Sequence, residues 1–167
     1  VLVEQCGQYG VWASGTGVVG RCTNMEVRQC GWSGVYASTG ASITLIGAKT
    51  MVHHNCTKGE SDEYGLQVYG SSSSTIQLVS PLTKEQVAID NGGGGNWGAW
   101  HGGDIRQIKT MTQAEMEAAA VAAAAAAAAR GRGEVRVPED CTTLQEAVGR
   151  VHGDDRLTTI VVGKGEH

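Results

Sequence analysis

A nine-residue motif occurs twice near the start of the chain, and this repeat constrains the fold more than any other feature. The segment from Cys6 to Ser14 reads CGQYGVWAS, and the segment from Cys30 to Ser38, 24 residues later, reads CGWSGVYAS. The Cys, both Gly, the Val, the Ala and the Ser coincide. A repeat of this period is typical of solenoids, in which each unit stacks on the next because it cannot bury its apolar face alone. The sequence therefore predicts stacked coils.

Within each coil, apolar and polar residues alternate over short segments separated by Gly-containing turns. Side chains of a strand point alternately to its two faces, so Val11 and Ala13 are predicted to face inward, with Trp12 facing outward beside Tyr36 of the next coil. Strand-like segments precede and follow this one in each repeat. The pattern predicts three short strands per coil.

The third coil begins at Met51 and contains an insertion. Its segment from Tyr64 to Val68 matches the one from Ser33 to Ala37 at an offset of 31 residues rather than 24. The additional residues, 57–63, are predicted to form a loop on one face of the solenoid, where insertions of repeat proteins often bind partners.

A degenerate fourth coil is predicted over residues 80–89, with Val87 and Ile89 as its apolar positions. Four consecutive glycines follow, and their backbone entropy disfavours a strand. Residues 90–98 are therefore predicted to be a terminal loop, with Trp97 and Trp100 folding over the open end of the solenoid as a cap.

The remainder of the chain has a different pattern. Thr112 and Glu115 have the spacing of a capping box, and the run of alanines that follows predicts a helix that ends at Arg130. A strand over 134–138, an amphipathic helix over 142–151 with a second capping box, and a buried parallel strand over 157–162 are predicted after it.

The last unit, with VP at 137–138, TLQEAV at 143–148 and TIVVGKG at 159–165, resembles the opening of right-handed parallel β-helix proteins of the pectin-lyase-like superfamily. The repeats of residues 1–90 resemble the coils of that family. The resemblance implies an all-β fold, a right-handed parallel β-helix (solenoid) over residues 1–108. An Ala-rich helical linker over 111–133 and a strand-helix-strand unit over 134–167, similar to the N-terminal cap of a β-helix, complete the predicted domains.

In that family the cap precedes its coils, whereas here it follows them. The chain is interpreted as the tail of one β-helix joined to the head of another in a tandem array. A permuted single domain, in which the last unit packs on the first coil, is the alternative.

Charge and composition exclude several classes of function. The net charge is −4, with 13 Lys and Arg against 17 Asp and Glu, and no basic cluster favours nucleic acid or an anionic membrane. No apolar run is long enough to predict membrane insertion, and no signal-peptide pattern indicates a compartment. The five Cys have no metal-ligand spacing and are predicted to be free thiols, so no metal and no cofactor are indicated. Of the adjacent His53 and His54, the second is expected to face inward.

Candidate ligand-binding residues lie on the predicted outer strand faces and in the insertion. They are Trp12, Tyr36, Gln67, Tyr69, Asp62 and Glu63. Polysaccharide-active members of the resembled family use acidic residues grouped with a base, and the sequence predicts no such group and no catalytic residue. The chain is therefore interpreted as a non-catalytic scaffold that binds carbohydrate or another surface partner, polysaccharide or protein. A fragment of a polysaccharide lyase or epimerase with its catalytic coils elsewhere, or a purely structural array, are the alternatives.

Overall fold

The structure is a computed structural model that describes residues 1–70, 73–130, 134–137, 143–153 and 159–162. The chain divides into two compact units, Val1–Met116 and Glu117–His167, each with its own internal contacts. The first unit carries the repeats, and the second carries most of the Ala-rich helix and the strand-helix-strand segment.

Each coil of the first unit contributes one strand to each of three sheets. The first coil contains β1 (Leu2–Glu4), β2 (Val11–Ser14) and β3 (Val19–Thr23), and the second contains β4 (Glu26–Arg28), β5 (Val35–Ser38) and β6 (Ser42–Ile46). The third contains β7 (Met51–His53), β8 (Tyr64–Tyr69) and β9 (Thr75–Val79). The fourth contains a short helix, α1 (Lys84–Val87), then β10 (Ala88–Ile89), β11 (Gly95–Trp100), a 3-10 turn (Ile105–Gln107) and β12 (Ile108–Met111).

All three sheets are parallel and have four strands each in the described residues. The first sheet has the order β1-β4-β7-β10, the second β2-β5-β8-β11 and the third β3-β6-β9-β12. Consecutive coils therefore place equivalent strands side by side. This confirms the predicted three strands per coil and a chain that is mostly β-strand with few helices.

The core lies between the three sheets and consists of columns of equivalent apolar side chains. Val27 pairs with Val52, Val35 with Leu66, and Ile43 with Ile76, and all six are fully buried. Neighbouring parallel strands lie about 4.8 Å apart, so each side chain packs directly on its counterpart in the next coil. The register confirms the predicted offsets of the repeats.

The fourth coil differs from the sequence prediction. The glycine-rich segment leads into β11 instead of forming a terminal loop, and its Trp97 and Trp100 pair with Leu66 and Tyr69 of β8. Trp97 packs against the core, so the prediction that these two residues cap an open end was wrong. Of the two predicted apolar positions of this coil, Val87 is buried, whereas Ile89 is only half-buried and its neighbour Ala88 takes the buried position beside Val52.

Close packing explains why glycines occur there. Gly93 has a positive φ of 61°, and a Cβ at this position would lie 2.6 Å from the carbonyl oxygens of both Glu60 and Glu63. The backbone of the fourth coil therefore approaches the insertion of the third coil more closely than any residue with a side chain allows. This approach offsets the entropic cost on which the loop prediction depended.

The Ala-rich helix, α2 (Gln113–Arg130), begins as predicted. Glu115 N donates to Thr112 Oγ1 at 3.1 Å, and the Glu115 carboxylate accepts from Thr112 N at 2.6 Å, which completes the capping box. Its Val121 side chain is exposed. None of the described helices combines the length and the apolar character of a membrane span.

In the second unit, β13 (Glu134–Val137) and β14 (Thr159–Val162) pair in parallel, and α3 (Leu144–Gly153) lies between them in the sequence. Glu146 N donates to Thr143 Oγ1 at 3.2 Å, in agreement with the second predicted capping box. The strand-helix-strand order is confirmed. The predicted positions 138–142, 157–158 and 163–167 lie outside the described residues.

Candidate functional site: an aromatic and acidic pocket on the second sheet

The outer face of the second sheet carries the predicted aromatic residues in register. Trp12 pairs with Tyr36, which pairs with Gln67, and two residues further along the strands Ser38 pairs with Tyr69. Trp12 is 61% exposed and Tyr36 only 8%. The period-2 alternation of the strands produces this arrangement, because residues two apart point to the same face.

A further aromatic residue, Tyr9, completes the cluster. Its ring stacks on that of Tyr36, with the centroids 4.3 Å apart and the planes at 11°, and it also contacts the rings of Trp12 and Trp32. Tyr9 lies in the turn before β2, where its equivalent in the second repeat is Ser33. Sequence reasoning missed it because turn residues have no periodicity that indicates their direction.

The insertion of the third coil is held against this sheet by polar contacts. The Glu63 carboxylate accepts hydrogen bonds from the backbone N of Ser33 at 3.1 Å and from the Ser33 hydroxyl. Gln67 donates from Nε2 to the backbone oxygen of Asp62 at 2.8 Å, and its own side chain is buried. Gln67 and Glu63 therefore position the loop, and the carboxylates of Asp62 and Glu63 lie beside the aromatic cluster.

Together these elements form a pocket of about 350 Å³. Its lining residues are Tyr9, Tyr36, Asp62, Glu63, Gln67, Tyr69, Trp100 and His101. Five of the six residues predicted from the sequence line this pocket, and the sixth, Trp12, lies next to it against Tyr9.

Trp100 and His101 were missed because the fourth coil was predicted to end before them. Trp100 pairs with Tyr69 at the end of β11, and His101 follows in a turn with a positive φ of 48°. The His101 ring contacts those of Tyr69 and Trp100, with centroid distances of 5.2 and 5.6 Å. The sequence predicted no carboxylates near a base, but the structure places Asp62, Glu63 and His101 around one pocket.

The pocket environment favours protonated phenols. Burial raises the pKa of Tyr36, and the neighbouring Tyr9, Tyr69 and Glu63 raise it further. Burial likewise raises the pKa of Tyr9, followed by the negative charge of Glu63. The phenol groups therefore stay neutral near pH 7, where they can donate hydrogen bonds and present uncharged ring faces.

A second cavity, of about 330 Å³, lies beside α1. It is lined by Ala48, Thr50, Met51, Pro81, Leu82, Gln86 and Val87. No ionisable group lines it, and none of the predicted residues does. The aromatic and acidic pocket is therefore the stronger candidate.

The histidine pair on the first sheet has a different geometry from the one expected. His53 Nε2 lies 3.1 Å from the carboxylate oxygen Oε1 of Glu26, and His53 Nδ1 lies 2.7 Å from His54 Nδ1. His54 was predicted to face inward, but it is exposed, because its φ of 53° takes it out of the strand alternation. Within the described residues no group of three or more metal-ligating side chains is assembled.

The described cysteines, Cys6, Cys22, Cys30 and Cys56, are free thiols as predicted, and Cys141 lies outside the described residues. None of them lines the candidate pocket.

Comparison of the chain with protein-family models, with curated proteins and with solved structures finds no match.

Proposed function

We propose that the first unit is a right-handed parallel β-helix of the pectin-lyase-like type, and that its pocket binds carbohydrate without converting it. Three parallel sheets with one strand per coil in each support the proposed fold. The strand-helix-strand order of the second unit, which resembles a β-helix cap, agrees with it.

The observation that carries the proposed function is that aromatic rings and polar side chains line the same pocket. Sugar rings have an apolar face that packs on an aromatic ring, and hydroxyls at the edge that bond to carboxylates, amides and phenols. Trp12 and Trp100 are 61% and 43% exposed, and the half-buried Asp62 of the insertion lines the pocket. Trp12 on β2 and Trp100 on β11 lie on the two edge strands of the second sheet, three strand spacings or about 14 Å apart, so the surface extends beyond a single sugar unit.

Binding to immobilised polysaccharides and to a glycan array tests the proposal, with Trp12→Ala and Trp100→Ala as variants. Each substitution removes an exposed ring, and we expect affinity to fall about 10-fold or more, as for aromatic residues at the centre of interfaces. Val19→Ala is the matched control, because Val19 is 63% exposed but lies on the third sheet. Absence of binding to every polysaccharide by the unsubstituted chain would overturn the proposal.

A second candidate function is polysaccharide cleavage or epimerisation. One observation favours it, namely that Asp62, Glu63 and His101 line the same pocket, since such reactions need an acid and a base at one sugar unit. Glu63 is engaged by Ser33, which leaves Asp62 and His101 for such roles. Turnover of polysaccharides that is abolished in Asp62→Asn and His101→Gln, with binding retained, would establish this function. If further coils of a longer protein held the catalytic groups instead, turnover would persist in both variants of that protein.

A further inference from the structure

The candidate pocket has an excess of negatively charged side chains. Among its lining residues are two carboxylates, Asp62 and Glu63, and no Lys or Arg. Lys58, a basic residue of the same insertion, lies over the ring of Trp32 with its Nζ 5.0 Å from the ring centroid, outside the lining. A polyanion such as a polyuronate would bring like charges together here, which disfavours its binding.

The two carboxylates differ in their availability. Glu63 accepts from the Ser33 backbone and hydroxyl, so its charge is already solvated by protein donors. The Asp62 carboxylate has no hydrogen-bond or ion-pair partner in the part of the chain that the structure describes. The hydrogen bond that Asp62 accepts from Gln67 is made by its backbone oxygen. Asp62 is half-buried at the wall of the pocket. Its carboxylate is therefore free to pair with a ligand.

Neutral aromatic rings surround the same space. Tyr9, Tyr36, Tyr69 and Trp100 line the pocket, and the raised pKa of Tyr9 and of Tyr36 keeps these phenols uncharged. A cation is attracted to the faces of such rings, and the attraction is strongest where water is partly excluded. Aromatic rings and an unpaired carboxylate are together complementary to an organic cation.

We infer that the pocket selects saccharides that carry a protonated amine, with the ammonium group placed between the Asp62 carboxylate and the surrounding rings. This inference rests on the proposed carbohydrate binding and names the class of sugar. Amino-sugar units satisfy both parts of the site, since the ring packs on aromatic faces and the ammonium pairs with Asp62. Uronic acid units, in contrast, place a carboxylate next to Asp62 and Glu63.

Calorimetric titration of the full chain with three oligosaccharide series of the same linkage and length tests this inference. The series are built from glucosamine, N-acetylglucosamine and glucuronic acid, at a pH at which titration of the free glucosamine oligomer shows its amines to be protonated. We expect the glucosamine oligomer to bind at least 10-fold more tightly than the N-acetylated one, and the glucuronic acid oligomer to bind least. Added salt should reduce the difference in affinity between the glucosamine and N-acetylglucosamine oligomers, because salt screens the attraction between the ammonium group and the Asp62 carboxylate.

The variant Asp62→Asn should bring the affinity for glucosamine oligomers close to that for N-acetylglucosamine oligomers and leave the latter unchanged. Glu60→Gln is the matched control, because Glu60 is an exposed residue of the same insertion outside the pocket lining, and its substitution changes the net charge equally. Circular dichroism verifies that both variants are folded. Glu60→Gln should retain the full preference for glucosamine.

The outcomes separate this inference from the proposed function. Equal or tighter binding of the N-acetylated or uronic acid series would overturn the amino-sugar inference and leave carbohydrate binding in place. A preference that persists in Asp62→Asn would also overturn it. Failure of all three series to bind would contradict both proposals for these sugars.

Discussion

Asn55 occupies the coil corner at which Cys30 lies in the preceding coil, and its side chain bonds to the coil before its own and to the coil after it. Its Oδ1 accepts from Cys30 N at 3.1 Å, and its Nδ2 donates to Val27 O at 3.0 Å and to Asn91 Oδ1 at 3.0 Å. The side chain is 1% exposed. Because corner backbone groups lie outside the sheets, they need a side-chain partner once they are buried.

We expect Asn55→Ala to lower the free energy of unfolding by about 1–3 kcal/mol, since it leaves the buried backbone N–H of Cys30 without its side-chain acceptor. Urea unfolding followed by tryptophan fluorescence measures the loss. Thr57→Ala is the control, because the exposed Thr57 hydroxyl bonds to Cys30 O at 3.3 Å, and its removal should change the free energy by less than about 1 kcal/mol. Equal losses in the two variants would contradict the role of Asn55.

Buried thiols make the folded state sensitive to alkaline pH. Burial raises the pKa of Cys30 to about 11, and burial together with the charge of Glu63 raises that of Cys56 to about 12. An unfolded thiol titrates near ~8.5. Above that pH the unfolded chain loses protons that the folded chain retains, so the stability present at neutral pH is lost progressively as the pH rises towards 11–12.

Titration of these thiols should therefore leave the free energy of unfolding unchanged below pH ~8. Between about pH 9 and 10 it should lower this free energy by up to about 1.4 kcal/mol per pH unit for each thiol. Urea unfolding at a series of pH values measures this slope. In the double variant Cys30→Ala and Cys56→Ala, whose overall stability is lower, the slope in this window should be smaller. The slope that remains belongs to groups such as Cys22, Tyr9 and Tyr36, whose pKa values burial also raises. An unchanged slope would show that the thiols do not cause it.

The sequence predicts the strand residues of the site better than its loop residues. Trp12, Tyr36 and Tyr69 follow from strand alternation and the repeat offset, because the pleat fixes their direction. Tyr9 and His101 lie in turns, and their positions depend on the ring contacts that they make with Tyr36 and Tyr69. No local pattern encodes such contacts, so turn residues require the tertiary structure.

A column of glycines marks the entry to the second sheet in three consecutive coils, at Gly10, Gly34 and Gly65. A Cβ at Gly34 would lie 2.5 Å from Val52 Cγ1 and 2.9 Å from the carbonyl oxygen of Gly65. The chain therefore turns there against the core and against the next coil at the same time. Only residues without a side chain allow this separation.

We expect Gly34→Ala to destabilise the first unit by about 1–3 kcal/mol, since the methyl group overpacks a region that the core side chains already fill. Gly7→Ala is the control in the same repeat, because a Cβ at Gly7 meets no atom within 4 Å. Thermal unfolding of both variants followed by circular dichroism gives the comparison. A control variant destabilised as much as Gly34→Ala would assign the effect to backbone conformation instead of packing.

The fourth coil shows the limit of sequence prediction for an element. From composition alone, consecutive glycines predict a loop, because ordering their backbone in a strand has a high entropic cost. The contacts that the glycines make in the folded chain are not visible in the composition. In this chain Gly93 packs against Glu60 and Glu63, and the chain then continues into β11 beside β8. The insertion and the glycine run therefore form a matched pair, and neither segment predicts the other from its own residues.

The arrangement of the whole chain follows from where its apolar residues lie. The repeats predicted the stacked strands, since each offset places apolar residues beside apolar residues in the next coil. Every member of the core cluster of the first unit lies between Ala13 and Ile108. Met116, in the first turn of α2, is buried, but the part of the helix that follows it is Ala-rich and its Val121 is 70% exposed.

We therefore expect a chain that ends at Met116 to fold, and to unfold in urea at the same midpoint as residues 1–167. All four tryptophans, Trp12, Trp32, Trp97 and Trp100, belong to the first unit, so fluorescence reports its unfolding in both chains. The dependence of the free energy of unfolding on urea concentration scales with the surface that unfolding exposes. This slope should therefore also be equal in the two chains if the first unit unfolds on its own. A lower midpoint in the shortened chain would show that residues after Met116 stabilise the coils, as a permuted single domain requires and a tandem array does not.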